Sequence, residues 1–217
     1  MFDYSQITFV IGMCDKNNYN KVQMLGTGFL ISNEGLVVTA RHVVGNECSN
    51  LRVLLPHVPN VNCYQDVQDT SCRMSLARIE AVNPITDLCV LKINQVSRCV
   101  LPDLKSLDDI RVGEKIGIFG FPHCTMGRRV LTYQEAEIGA KMLLETRSVK
   151  SKYATINIQT RPGQSGSLVF NLRTGVIVGL LIGTYAPPSG INLAGINPYE
   201  LNQTSYCISA SHIREML

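Results

Sequence analysis

Apolar residues in this chain come in short bursts and not in helical stripes. Runs rich in Val, Ile, Leu and Phe occupy 7–13, 28–32, 36–39, 52–55, 77–82 and 88–93, then 115–119, 128–133, 136–139, 154–159, 167–171 and 176–182. Gly, Pro, Asn, Asp and Ser punctuate the gaps between many of them. β-branched runs of this length, bounded in this way, predict strands. A dozen of them at even spacing predict an all-β architecture of barrels or sandwiches. Helical patterning is confined to one turn after His42 (Val43-Val44) and to the tail 209–217. There Ser209 is placed to cap a short helix, with Ile213, Met216 and Leu217 facing inward.

The stretch 101–111 breaks the rhythm, with Pro102 and the alternating charges of Asp103, Lys105, Asp108, Asp109 and Arg111. It predicts a connection between two halves of similar size. Residues 1–103 form an N-terminal barrel, 104–112 a linker, and 113–217 a C-terminal barrel with a short helix. About six strands per half suffice to close a small barrel. The expected fold is therefore all-β, two six-stranded antiparallel barrels, with the seam between them as the natural place for a site.

Composition narrows the function classes. The chain is 45% hydrophobic and 17% charged, which is a folded composition and not a disordered one. The net charge of +3 comes from scattered basic residues, so no nucleic-acid partner is expected. No run approaches the ~20 apolar residues of a membrane span, and the longest, 175–182, suits a buried strand. The start, Met1-Phe2-Asp3-Tyr4, lacks a secretory pattern, and the eight cysteines form no Cys-x-x-Cys pair. These two features predict a cytoplasmic chain with reduced thiols. No metal and no cofactor are expected, because Cys48, Cys63, Cys72 and His57 lack the short-spaced ligand pairs of zinc sites.

Three remote segments carry candidate chemistry. In Arg161-Pro162-Gly163-Gln164-Ser165-Gly166-Ser167 a serine stands between residues of a glycine-rich turn and ahead of an apolar run. Gly163 and Gly166 permit left-handed backbone, so the turn can expose Ser165 as a nucleophile. It can also aim the N–H groups of Gly163 and Ser165 at one oxyanion. A serine hydroxyl needs a base, and His42 ends a strand-like run after Thr39-Ala40-Arg41. Asp87 precedes Leu88-Cys89-Val90-Leu91, a segment headed for the core, where a carboxylate needs a partner such as His42. The chain order His42, Asp87, Ser165 is that of proteases built from two β-barrels.

Four stretches together resemble the trypsin-like serine peptidases. They are Gly26-Thr27-Gly28-Phe29-Leu30-Ile31, Val37-Val38-Thr39-Ala40-Arg41-His42-Val43-Val44, Asp87-Leu88-Cys89-Val90-Leu91-Lys92-Ile93 and Pro162-Gly163-Gln164-Ser165-Gly166-Ser167. Within that family the chain is similar to the HtrA-like (Do-type) bacterial branch, through Val112 to Pro122, Gly175-Val176-Ile177-Val178-Gly179 and Cys207-Ile208-Ser209-Ala210. The resemblance implies a polypeptide substrate and an acyl-enzyme mechanism. In it His42 is the base, Asp87 the orienting carboxylate, Ser165 the nucleophile, and Gly163 and Ser165 the oxyanion hole. It also implies that Leu180, Leu181 and Ile182 pair with the substrate backbone. Two positions depart from the pattern: Gln164 replaces Asn, and Ser167 replaces a second glycine. Residues expected around the specificity pocket, Gln159, Gly183, Thr184 and Ile191, are uncharged and predict a neutral pocket. The length leaves no room for a PDZ domain. The absence of a processing signal predicts gating by an activating protein partner. Two alternatives stay open: a protease-like module that binds peptides without turnover, and a viral polyprotein-processing protease.

Overall fold

The computed structural model describes residues 3–15, 17–18, 21–45, 49–94, 99–185 and 204–217. The first half contains β1 (Thr8–Cys14), β2 (Val22–Ser32), β3 (Leu36–Ala40), the single turn α1 (Arg41–Val44), β4 (Leu51–Leu54), β5 (Met74–Asn83) and β6 (Leu88–Ile93). The second contains β7 (Lys115–Gly120), β8 (Thr132–Thr146), β9 (Val149–Ile156), β10 (Leu168–Asn171), β11 (Ile177–Tyr185), β12 (Thr204–Ser209) and α2 (Ser211–Arg214). Each set closes on itself through antiparallel pairs, in the orders β1-β2-β3-β6-β5-β4 and β10-β11-β12-β9-β8-β7. The expected two six-stranded barrels with a short C-terminal helix are what the chain forms.

Closure follows from the residue pattern. Leu88, Cys89, Val90 and Leu91 are all fully buried, as a strand needs when both faces are covered. One apolar cluster runs from Phe29, Val38, Leu88 and Leu91 of the first barrel across the seam to Phe119, Leu168, Phe170 and Leu180 of the second. A second cluster, around Ile116, Ile118, Ile138, Val169 and Leu181, fills the interior of the C-terminal barrel. The segment before β1 reinforces the seam. Tyr4 stacks on Phe170 with ring centres 4.0 Å apart, and its hydroxyl donates to the Gly175 carbonyl at 2.6 Å.

Three details differ from the sequence reading. The runs 128–133 and 136–139 are not two strands. Residues from 132 onward belong to one long strand, β8, which pairs with β9 through a turn at Arg147 and Ser148, both at positive φ. The expected linker is not a free tether, because Leu107 and Ile110 are buried in the C-terminal core and Leu107 N–H donates to Ser209 Oγ at 3.0 Å. The last helix starts after Ala210 and not after Ser209. Ile213 is buried, but Leu217 is 64% exposed, because the helix ends at Arg214 before that residue can turn inward.

Candidate active site

His42 and Asp87 meet because β3 and β6 are neighbours. Ala40 pairs with Leu88, so the end of one strand faces the start of the other. Asp87 adopts left-handed backbone (φ 56°), a conformation Asp tolerates better than most residues. Its carbonyl accepts the Arg41 N–H at 2.7 Å, and its carboxylate accepts the His42 N–H at 3.0 Å. The other carboxylate oxygen forms a short hydrogen bond with His42 Nδ1. That bond fixes the ring and leaves Nε2 for chemistry. The carboxylate is not buried, as its sequence context suggested: the Asp87 side chain is 27% exposed. The turn delivers it to the rim, between the buried Thr86 and the fully buried Leu88. Burial, and then the Asp87 charge, raise the phenol pKa of Tyr153 on β9.

The Ser165 loop is held by unusually close packing. Gly166 has φ 89°, and a Cβ there would stand 1.8 Å from the Thr27 carbonyl oxygen. Gly163 has φ 91°, and a Cβ would come within 2.7 Å of Cys124 Sγ and of the Phe121 carbonyl. Thr27 of the first barrel ties the loop down. Its N–H donates to the Ser165 carbonyl (2.9 Å), and its hydroxyl donates to the Gly163 carbonyl (2.8 Å) while accepting the Phe121 N–H (3.1 Å). The Pro162 carbonyl accepts the His123 N–H at 2.6 Å. Among the described residues, no protein acceptor takes the N–H of Gly163 or of Ser165.

Both departures from the resembling pattern have local reasons. Gln164 is buried and spans the base of the loop: Oε1 accepts the Arg161 N–H at 2.7 Å and Nε2 donates to Gln134 Oε1. Ser167 is also buried, and its hydroxyl donates to the Gln164 carbonyl at 2.6 Å. The hydroxyl fits because Gly120 lies opposite, where a Cβ would stand 1.9 Å from it.

The recess in front of this loop is lined by His42, Thr160, Arg161, Pro162, Ser165, Ile182, Gly183 and Tyr206. The fold therefore brings His42 and Ser165 to one cavity. The Ser165 hydroxyl donates to the Ile182 carbonyl at 2.9 Å and not to His42. Of the expected substrate-contacting residues, Ile182 borders the recess. Leu180 and Leu181 do not: both are fully buried in the sheet, and the Leu181 backbone bonds Ser167 and Gly166. Gln159 is not part of the lining either. The Thr184 side chain and Ile191 lie outside the described residues. The sequence reading missed Thr160, Arg161 and Tyr206 as lining residues. The first two adjoin the glycine turn and could have been found from that position. Tyr206 reaches the site only because β12 pairs it with Gly183.

Among the described residues no disulfide forms, and burial pushes the thiols of Cys124 and Cys207 up to about 12. Cys48 lies outside the described residues. Among the described residues, no three of His, Cys, Asp and Glu cluster as metal ligands, and no helix is long and apolar enough to cross a membrane.

Comparison with known proteins places this geometry. The family described as "Trypsin-like peptidase domain" matches residues 26–180. A probable periplasmic serine endoprotease DegP-like of Bartonella henselae is 26% identical over 168 residues, covering 76% of this chain and 29% of the relative. A protein of the same description from Rickettsia prowazekii is 26% identical over 178 residues, covering 82% of this chain and 29% of its own length. The chain thus spans under a third of these relatives. Among solved structures, the MamO protease domain from Magnetospirillum magneticum has a TM-score of 0.69 at 15% identity, covering 98% of this chain and 96% of that one. The HtrA-type protease AlgW with decapeptide has a TM-score of 0.69 at 17% identity, covering 98% of this chain and 64% of that one. The relatives named as periplasmic overturn the expected cytoplasmic location. That expectation leaned on the first four residues and on unpaired cysteines, and neither reports a compartment for a chain matching so small a part of its relatives.

Proposed function

This chain belongs to the trypsin-like peptidase family, and from that premise we propose that it is a serine endopeptidase acting through Ser165, His42 and Asp87. One observation carries the reading: a histidine tied by its Nδ1 to a carboxylate opens on the same recess as a serine whose loop presents two unengaged N–H groups. In this mechanism Ser165 Oγ attacks the peptide carbonyl as His42 Nε2 takes its proton. The N–H groups of Gly163 and Ser165 stabilise the resulting oxyanion, an effect worth about 3–4 kcal/mol per donor. The protonated His42 then gives its proton to the leaving amine, and water repeats the sequence to release the acyl group. Asp87 holds the tautomer and stabilises the imidazolium. The Ile182 carbonyl and the Gly183 backbone offer an edge along which an extended peptide can lie.

The gating expected from the sequence gains support from the Ser165–Ile182 hydrogen bond. The hydroxyl must leave that carbonyl before His42 can serve it. Seating of a substrate, or docking of an activating partner, would supply the rotation. Labelling by a fluorophosphonate probe tests the reading. Wild-type protein should label, Ser165→Ala should not, and His42→Ala should label far more slowly. Wild type that never labels, with or without peptide ligands, would end this assignment in favour of a non-hydrolytic peptide binder.

A further inference from the structure

The recess beside Ser165 is not the neutral pocket expected from the sequence. Of the uncharged residues on which that expectation stood, only Gly183 borders it among the described residues. Arg161 does border it, and Arg161 is exposed at its rim. The backbone of Arg161 is committed, since its N–H donates to Gln164 Oε1 at 2.7 Å and its carbonyl accepts the Gln164 N–H at 3.1 Å. Those two bonds and the adjoining Pro162 fix where the side chain leaves the wall. Among the described residues, no ion pair ties the guanidinium to a carboxylate.

The other lining residues do not compensate the charge. Thr160, Pro162, Ser165, Ile182, Gly183 and Tyr206 bring no carboxylate. The Thr160 hydroxyl is already engaged, 3.1 Å from Ser205 Oγ. The Asp87 carboxylate beside His42 is occupied by that histidine. Among the described lining residues, Arg161 is thus the permanent charge, and no described carboxylate pairs with it.

Resting on the peptidase reading above, we propose that Arg161 is a specificity-determining residue that selects an acidic side chain, Glu or Asp, at the residue whose carbonyl is attacked. A guanidinium can grip a carboxylate through two parallel N–H donors, which an amide of the same shape cannot match. The site is partly open to solvent, so the gain is that of a half-screened pair and not of a buried one.

Matched fluorogenic peptides differing only in Glu, Gln or Lys at that position test this. Wild type should cleave the Glu peptide with kcat/KM about fivefold or more above the Gln peptide, the size of a good exposed ion pair. The advantage should shrink as salt is raised. Arg161→Gln should bring the Glu-to-Gln ratio near one, and Arg161→Glu should turn the preference toward Lys. A wild-type ratio at or below one, or a ratio unmoved in Arg161→Gln, overturns the proposal. Binding of the same peptides to Ser165→Ala protein gives a readout without turnover. Glu binding no tighter than Gln there also overturns it. Fluorophosphonate labelling separates the two failures: labelled enzyme with no Glu preference sinks the Arg161 assignment alone, while unlabelled wild type sinks the peptidase reading itself.

Discussion

At the scale of single residues, the site depends on positions where one atom more or less is decisive. Gly166 is the sharpest case. Its positive φ and the Thr27 carbonyl 1.8 Å from where a Cβ would sit leave no room for alanine. Gly166→Ala should lower the thermal midpoint by several degrees, because strain and an overpacked contact together cost on the order of 1–3 kcal/mol. Differential scanning calorimetry checks this, and an unchanged midpoint would contradict the packing described. Asp87→Asn probes chemistry and not fold, since Asn accepts left-handed backbone equally well. It should reduce kcat by roughly four orders of magnitude, the size seen when a Ser-His-Asp relay loses its carboxylate, with little change in thermal midpoint. His42, Asp87 and Ser165 could be singled out as candidates from the sequence because each sits beside a local mark: a strand end, a turn before a buried run, a glycine-flanked turn; the fold brings His42 onto Asp87 and into one recess with Ser165. The place of Arg161 in the recess lining was not legible, since a lone arginine reads as surface until its neighbours in the fold are known.

At the scale of elements, a strap from the first barrel steadies the wall behind the Ser165 loop. Gln65 donates through Nε2 to the Leu131 carbonyl and accepts the Leu131 N–H, both at 2.8 Å, as an extra strand would. Arg129 adds a 2.6 Å bond to the Ser71 carbonyl. The strapped segment leads back to His123, whose N–H holds the Pro162 carbonyl. Gln65→Ala should therefore lower kcat more than it raises KM, a split that steady-state kinetics resolves. Equal effects, or none, would detach the strap from the loop. His57 makes the strap pH-sensitive. Burial, then the Arg129 charge, lower its pKa, against opposing contributions from Gln65 and Asp69; the Phe121 ring lies 6.3 Å away. The unfolded chain then takes up a proton more readily than the folded one, so stability is complete above about pH 6.5 and declines as pH falls through the lowered folded pKa. Urea unfolding at neutral and mildly acidic pH should show a larger loss for wild type than for His57→Phe.

The strands themselves were mostly legible at this scale, because β-branched runs such as Val37-Val38-Thr39 and Leu88-Cys89-Val90-Leu91 follow the pleat. The hairpin of β8 and β9 was not. Lys141-Met142-Leu143-Leu144-Glu145 consists of residues with good helix propensity, and the turn at Arg147-Ser148 lacks the glycine or asparagine that advertises a tight hairpin. Pairing with β9 overrides both signals.

For the molecule as a whole, the two barrels should behave as one cooperative unit. A single apolar cluster crosses the seam, and Tyr4 and Thr27 bond across it. Burial raises the Tyr4 phenol to about 12, so this anchor stays uncharged well past neutral pH. Tyr4→Ala should destabilise the protein by roughly 3 kcal/mol, as loss of a buried aromatic does. The unfolding curves of probes placed in either barrel should shift together. Separate transitions for the two halves would show that the seam does not couple them. The even division into halves was visible in the strand count, but not the fastening of 104–112 to the C-terminal barrel, which depends on contacts such as Leu107 with Ser209.

The carbonyl of Ile182 is wanted by two parties. The Ser165 hydroxyl donates to it, and an incoming peptide N–H is suited to take it. Under the proposed mechanism, an occupant that claims this acceptor would evict the hydroxyl and turn it loose toward His42, so that loading the cleft and cocking the nucleophile become a single event. Small activated esters, which carry no amide hydrogen to compete, meet an enzyme still at rest and should acylate sluggishly compared with extended peptides of similar intrinsic reactivity.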